Sequence, residues 1–463
     1  MKAAVMAIDS HGVGRGILNR YFKRTRRSKM LYEKACRFLP GGETRRASFF
    51  RPYPVFMAKG EGCFLVDEDE NRYVDMQNNY TSLIHGHAHP AIRAVSRQHI
   101  DTGVVLGSAA ACQYRHAAHL ADRIPCVESV RYVNSGTEAT LFALRAARAF
   151  TGKTGFLKMD GGYHGMHEYA QVNIFPEPDH QGPLRPWGEP WVSRRLLADV
   201  AVADFNDLNA VETILARRAD HIAAVIVEPM FSAGGLFLPQ DGYLAGLRAL
   251  TKRYDVLLIL DEVMMFRLAV GGLHTRYGIQ PDLVALGKII GGGFPVGAVG
   301  GRRDVMACFS PHHPHPVYHS GTFSGNNITM SAGLKALELY DAQAIERLNA
   351  LGDRLRRGFA DALRQAGIEA QVTGMGSLAA VHWCSSPLYT ARDAADSLRQ
   401  AGDLPELFHL EMLNNAVFAA PRGMYVLSTP MTERVVDEVI QAFGATLDRL
   451  RPCIVETLPL LVG

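Results

Sequence analysis

Residues 255–301 read DVLLILDEVMMFRLAVGGLHTRYGIQPDLVALGKIIGGGFPVGAVGG, and no other stretch constrains the fold as much. Its apolar run at 256–260 is too short for a helix and is bounded by polar residues, so it reads as a buried strand of an α/β sheet. Asp261 and Glu262 follow at once, placing carboxylates at the strand's carboxyl end, where open α/β sheets bind their ligands. A second apolar run, 283–286, ends on Gly287 and Lys288. The triple glycine 291–293 comes next, then a third run at 296–299. An acid and an amine therefore stand at the ends of two strands, over one edge of the same sheet.

That pair suits pyridoxal phosphate, which needs a lysine to bond its aldehyde and a carboxylate to keep its ring nitrogen protonated. Taken alone, the acid could equally be a helix cap and the lysine a solvated surface group. Further motifs decide between them. A strand at 130–133 runs into Asn134-Ser135-Gly136-Thr137-Glu138 and then an alanine-rich helix at 139–150. At Ser135, Gly136 and Thr137 unpaired backbone N–H groups, two hydroxyls and the positive end of the helix dipole converge, which makes an anion site. No GxxxxGK[ST] and no well-placed GxGxxG competes for a nucleotide. A strand at 156–159 precedes Gly161-Gly162-Tyr163-His164-Gly165, whose Tyr163–His164 pair can offer an aromatic face to a planar ring. The strand at 222–227 ends on Glu228-Pro229-Met230, a second carboxylate at the same sheet edge.

With 463 residues, 48% hydrophobic and 21% charged, the chain is sized and composed like a soluble enzyme of more than one domain. A net charge of +3 gives no reason to expect nucleic acid or a membrane surface as a partner. Seven scattered cysteines, odd in number and without a CxxC pair, point away from disulfides and structural zinc and toward a reducing, cytoplasmic setting. No apolar run is long enough to span a bilayer.

Four regions follow from the pattern. Residues 1–38 are expected to be a basic extension and a helix. Arg20, Lys23, Arg24, Arg26 and Arg27 stand there without an acid between 15 and 29. An organelle transit peptide can look like this, but few serines and no clean apolar face favour a solvated extension leading into a helix at 31–38. Residues 39–90 form a β meander belonging to the small domain, with the loop Asn79-Tyr80-Thr81 after its last strand and His87 and His89 too isolated for a metal site. Residues 91–340 alternate helices and strands as a large cofactor-binding domain with a mainly parallel sheet. Within it, 174–191 is a proline-rich excursion, and the histidines at 312–319 lie in an extended loop. Residues 341–463 complete the smaller α+β domain.

NSGTEA, GGYHG, VEPM, LDEV, LGKIIGGG and HSGTFSGN, in that order, resemble the class III, fold-type I aminotransferases, from about residue 39 to near the C-terminus. The resemblance implies that Lys288 forms the Schiff base and Asp261 partners the pyridine nitrogen. Ser135, Gly136 and Thr137 then hold the phosphate, Tyr163 stacks on the ring with His164 beside it, and Val263 and Met264 line the other face. Glu228 supports them. Thr322 would reach the phosphate of a neighbouring subunit, implying a homodimer with shared sites.

Two subfamilies compete. Glutamate-1-semialdehyde aminomutases share LGKIIGGG and GGRRDVM (300–306) but usually read DEVMTGFR, where this chain reads DEVMMFR up to Arg267. That shortening, SGTFSGN, and the segment at 407–432 are more similar to β-amino-acid (β-phenylalanine) aminotransferases. By that likeness Arg45 binds the β-amino donor's carboxylate and Arg422 that of a 2-oxo acid acceptor, with Tyr80 and Met230 lining the substrate space. The expected activity is amino transfer from an amino acid to a 2-oxo acid through Lys288, with an aminomutase-type isomerase or a decarboxylase as the alternatives.

Overall fold

The computed structural model describes residues 12–178 and 182–462. Its centre is a seven-stranded sheet built from β4 (Ser129–Val133), β5 (Gly155–Met159), β6 (Val200–Ala203), β7 (Ile222–Val227), β8 (Leu257–Asp261), β9 (Leu283–Gly287) and β10 (Gly297–Gly301). The spatial order is β4-β10-β9-β8-β7-β5-β6. Strands β5 to β9 pair in parallel, each step crossing over the sheet. The exception is β10, antiparallel to both of its neighbours, β9 and β4. This is the mainly parallel sheet expected, with one reversed strand that the apolar run at 296–299 did not reveal.

The strands of β7, β8 and β9 are buried along their whole length, as strands covered on both faces must be. Helix Gly136–Thr151 packs on β9 and β10 through Ala139, Ala143, Ala146 and Ala147, whose small side chains are fully buried and let the backbones approach. Gly297 shows the same closeness: a Cβ there would stand 2.0 Å from the carbonyl oxygen of Ser135.

Two smaller sheets flank this core. β1 (Met57–Glu61), β2 (Phe64–Asp67) and β3 (Arg72–Asp75) form the N-terminal meander, and β13 (Val417–Phe418) joins β3 in parallel. The third sheet has the order β11-β12-β14, from Gln371–Thr373, Leu378–His382 and Met424–Val426. N- and C-terminal segments thus share one sheet, as expected for a small domain assembled from both.

The basic N-terminal segment corrects an expectation. It is not a solvated extension but two helices, Val13–Arg24 and Arg26–Ala35, and the helix expected at 31–38 ends at Ala35. Ile17 and Tyr21, one helical turn apart, are 0% and 1% exposed, and the Tyr21 hydroxyl donates to the Tyr53 carbonyl at 2.7 Å. Arg20 pairs with buried Glu411, and Arg24 donates to the Asn414 carbonyl, so part of the positive charge docks onto the C-terminal segment. Among the described residues no helix is long and apolar enough to cross a membrane, and no cluster of His, Cys, Asp or Glu is arranged to hold a metal ion.

Candidate active site

Five strand ends bring the candidate residues to one sheet edge. β8 ends on Asp261 and β9 on Gly287 before Lys288; β7 ends before Glu228, β5 before the Tyr163–His164 loop, and β4 before Ser135. Lys288 takes a left-handed backbone, φ 50°, at the start of a short 3-10 turn, an uncommon conformation for a long side chain. Its side chain is half-buried, and burial pushes its pKa down against the opposing pull of Asp261 and Glu228. A lysine so placed is more readily neutral, as a base on carbon must be.

Asp261 is 5% exposed. Its Oδ1 accepts the Val263 N–H at 3.1 Å, and its Oδ2 lies 2.9 Å from His164 Nδ1. Burial lowers the His164 pKa, and the hydrogen bond to Asp261 opposes that shift. Glu262, the next residue, points the other way as strand alternation requires, and binds His274 Nδ1 at 2.7 Å in the core. Glu228 is buried; its carboxyl accepts from the Ser232 hydroxyl and from the Ser232 N–H at 3.2 Å. Burial, reinforced by Asp261, pushes its pKa up to about 8.

Ser135 caps helix Gly136–Thr151, its hydroxyl accepting the Glu138 N–H at 3.2 Å. The N–H groups of Gly136 and Thr137 have no intrahelical acceptor, as at any helix start. Thr137 Oγ1 accepts the Met166 N–H at 3.1 Å, tying this turn to the loop that carries Tyr163. Val263 sits between the two halves of the site: Cβ atoms on Gly136 and Gly287 would stand 3.1 and 3.2 Å from its Cγ1. Tyr163 is exposed at the mouth, its phenol pKa raised by burial of the hydroxyl.

Sequence reasoning missed Lys158, although a lysine inside the apolar run 156–159 was a signal. It is 0% exposed, and its Nζ donates to the carbonyls of Val172 at 2.6 Å and Gly162 at 2.9 Å, holding the ends of the Tyr163–His164 loop together. Burial lowers its pKa to about 7.

The substrate candidates are spread more widely. Arg45 is exposed, its Nη2 2.6 Å from Asn79 Oδ1, its Nε 2.8 Å from Ser48 Oγ, and its guanidinium 5.8 Å from the Tyr80 ring centroid. It borders a cavity of 380 Å³ with Leu39, Phe50, Met57, Phe418 and Pro421. Arg422 lies 5.5 Å from the Phe175 ring, at the rim of a second cavity of 160 Å³ with His382, Trp383 and Phe408. Pro421 lines both cavities. Burial raises the Tyr80 phenol pKa, while Arg45, then Arg422, lower it. Met230 is 0% exposed inside an apolar cluster with Met265, Leu268 and Val426, so it offers no face to a substrate; Met264 packs against the same cluster. Thr322 is exposed, in a loop whose Ser324 Oγ accepts from Asn134 Nδ2 at 3.3 Å.

The donor set fits pyridoxal phosphate: a helix N-terminus with two hydroxyls for a phosphate, a buried carboxylate oriented by an imidazole for a ring N–H, and an amine for an aldehyde. Fold and site together define an enzyme that uses this cofactor. The chain belongs to the class III aminotransferases, whose family profile matches residues 47–420. A glutamate-1-semialdehyde 2,1-aminomutase from Syntrophobacter fumaroxidans is 39% identical over 438 residues, covering 92% of this chain and 98% of that one. The crystal structure of an omega-transaminase from Sphaerobacter thermophilus superposes with a TM-score of 0.86 at 38% identity, covering 92% and 98%. A β-phenylalanine aminotransferase from Variovorax paradoxus does so with 0.86 at 34% identity, covering 95% and 98%.

Proposed function

We propose that this enzyme transfers an amino group from a β-amino acid to a 2-oxo acid. The observation that carries the reading is the placement of two arginines beside two adjoining cavities: Arg45 lines the larger and Arg422 the smaller, and Pro421 lines both. A β-amino acid holds its carboxylate one carbon further from the reacting amine than does the α-amino acid that a 2-oxo acid becomes, and two separate guanidinium groups can serve the two positions. The apolar walls of the 380 Å³ cavity beside Arg45 suit a bulky hydrophobic substituent on the donor.

In this reading pyridoxal phosphate supplies the electron sink that makes the substrate's carbon acidic. Lys288 Nζ takes the proton from that carbon as a neutral amine and returns it on the other side of the transfer. Asp261, steadied by His164, holds the ring nitrogen's proton, and the Ser135–Thr137 turn anchors the phosphate. Thr322 completes the phosphate site of a second subunit. The apolar residues Val104, Val105, Leu106, Tyr114 and Phe323, all exposed in the single chain, give such a homodimer a face.

A second reading, an aminomutase that shifts an amino group within one molecule, is favoured by the 39% identity to a glutamate-1-semialdehyde 2,1-aminomutase. The test is a screen of β- and α-amino donors with 2-oxoglutarate or pyruvate, reading the oxo product. Transfer from a β-amino acid that stops when the acceptor is withheld is expected. Conversion of glutamate-1-semialdehyde with no acceptor, and no transfer from any β-amino acid, would select the aminomutase.

A further inference from the structure

The backbone at residues 78–81 is left-handed four times in succession: Asn78, Asn79, Tyr80 and Thr81 have φ of 49°, 46°, 53° and 75°. Non-glycine residues visit this region singly, because Cβ crowds the following carbonyl, so a run of four persists only where its surroundings hold it. Here they do. Buried Asp75 accepts the N–H groups of Gln77 and Asn78 at 3.0 and 2.8 Å. Asn78 Nδ2 reaches the Val426 carbonyl at 2.7 Å, and the fully buried guanidinium of Arg267 donates to the carbonyls of Thr81, at 3.4 Å, and Leu427. The turn is thereby locked to the short helix after Asp261 and to the small domain.

Its outward face carries Asn79 and Tyr80, and both meet the 45–48 loop. The Tyr80 hydroxyl donates to the Ala47 carbonyl at 2.5 Å. Asn79 Oδ1 and Ser48 Oγ take one hydrogen each from Arg45 Nη2 and Nε. The two acceptors thus occupy the Nε side of the guanidinium. Nη1 donates to no group among the described residues, and Nη2 keeps a second hydrogen. Both acceptors are neutral, and the neighbouring Glu43 carboxylate accepts the Arg45 backbone N–H rather than pairing with its guanidinium.

We infer that Asn79, seconded by Ser48, is a positioning residue that fixes Arg45 so that it receives a substrate carboxylate end-on, through Nη1 and Nη2, in one orientation. This rests on the reading of Arg45 as the donor's carboxylate site and names what gives that site its selectivity. An exposed arginine on a mobile side chain would accept carboxylates at many distances from the amine. One braced on a rigid turn accepts those that match its position, because binding does not then have to order the side chain.

The probe is 3-phenylpropanoate, an amine-free apolar carboxylate, titrated into the holoenzyme by calorimetry, beside single-turnover kinetics of the two half-reactions. Asn79→Gly removes the acceptor while leaving a residue at ease with positive φ. It is expected to weaken 3-phenylpropanoate about tenfold and raise the β-amino donor's KM equally, with kcat and the 2-oxoglutarate half-reaction within twofold of the parent. Asn79→Asp, an internal carboxylate competing for the same guanidinium, should weaken the probe at least as much, and Ser48→Ala about threefold. If Arg45→Ala weakens the probe but Asn79→Gly and Ser48→Ala do not, Arg45 is the carboxylate site and the positioning role is wrong. A rise in KM shared by both half-reactions also overturns it. If Arg45→Ala binds the probe like the parent, the carboxylate site itself fails.

Discussion

His164 Nδ1 lies 2.9 Å from Asp261 Oδ2, and both side chains are almost wholly buried. Burial disfavours the charged imidazole, and because a carboxylate oxygen can only accept, the contact assigns a proton to Nδ1, donating to Asp261. Removing that donor leaves a buried carboxylate oxygen without a partner. His164→Phe is therefore expected to cost roughly 1.5–3 kcal/mol in the interactions of Asp261, seen as about a ten- to hundredfold weaker cofactor. Fluorescence titration of the apoenzyme measures it; His164→Asn, which can keep a donor, should recover part of the loss.

Borohydride treatment of the purified holoenzyme should bleach its visible chromophore and fix the cofactor on Lys288, as peptide mass mapping would show. Lys288→Ala should still bind the phosphate end, since Ser135–Thr137 are untouched, but should not turn over. A label on Lys158, the fully buried lysine near the site, would sink the assignment.

Glu228 gives stability a pH dependence of known sign. Its folded pKa, about 8, is raised by burial above the ordinary carboxyl value, so between roughly pH 4.5 and 8 the folded state holds a proton the unfolded chain has lost. The contribution is complete below that window and disappears as pH rises through 8, at no more than about 1.4 kcal/mol per unit. Glu228→Gln should remove this slope, gaining on the parent toward pH 8 and matching it near pH 4.5. Denaturant midpoints at pH 5, 6.5 and 8 would reveal it, and parallel slopes in the two proteins would refute it.

Arg45→Ala and Arg422→Ala should separate the two halves of the reaction. The first is expected to cripple the β-amino donor half-reaction and the second to weaken the 2-oxo acid, each by about 2–5 kcal/mol if the carboxylate is desolvated. Single-turnover absorbance changes with each substrate alone resolve the halves. Equal losses in both would remove the two-arginine arrangement.

Much of this site was legible because its residues end buried strands. The apolar runs before Asp261, Lys288 and Glu228 have no solvent face, so their ends and their ligand edge follow from composition alone. The N-terminal helices were obscured because their arginines dominate the composition, while the Ile17–Tyr21 pair that buries them is only two residues. Met230 misled because VEPM marks a strand end but does not say which way its methionine turns. The left-handed run at 78–81 was hidden for another reason. Asn-Asn tolerates positive φ, yet Tyr and Thr do not favour it, so the conformation belongs to Asp75, Val426 and Arg267, which hold it from distant parts of the chain.

The reversed strand β10 acts as a ruler. Its first residue, Gly297, is paired on one side with Gly287, next to Lys288, and on the other with Val133, two residues before Ser135, where the turn begins. The backbones of Val133 and Gly287, just short of the candidate anion-binding turn and of Lys288, are thus held two interstrand spacings apart, about 9.6 Å. That length is written in backbone hydrogen bonds, which side-chain substitution cannot stretch. Specificity can therefore drift in the arginines and cavity walls while the gauge that fits one cofactor stays constant.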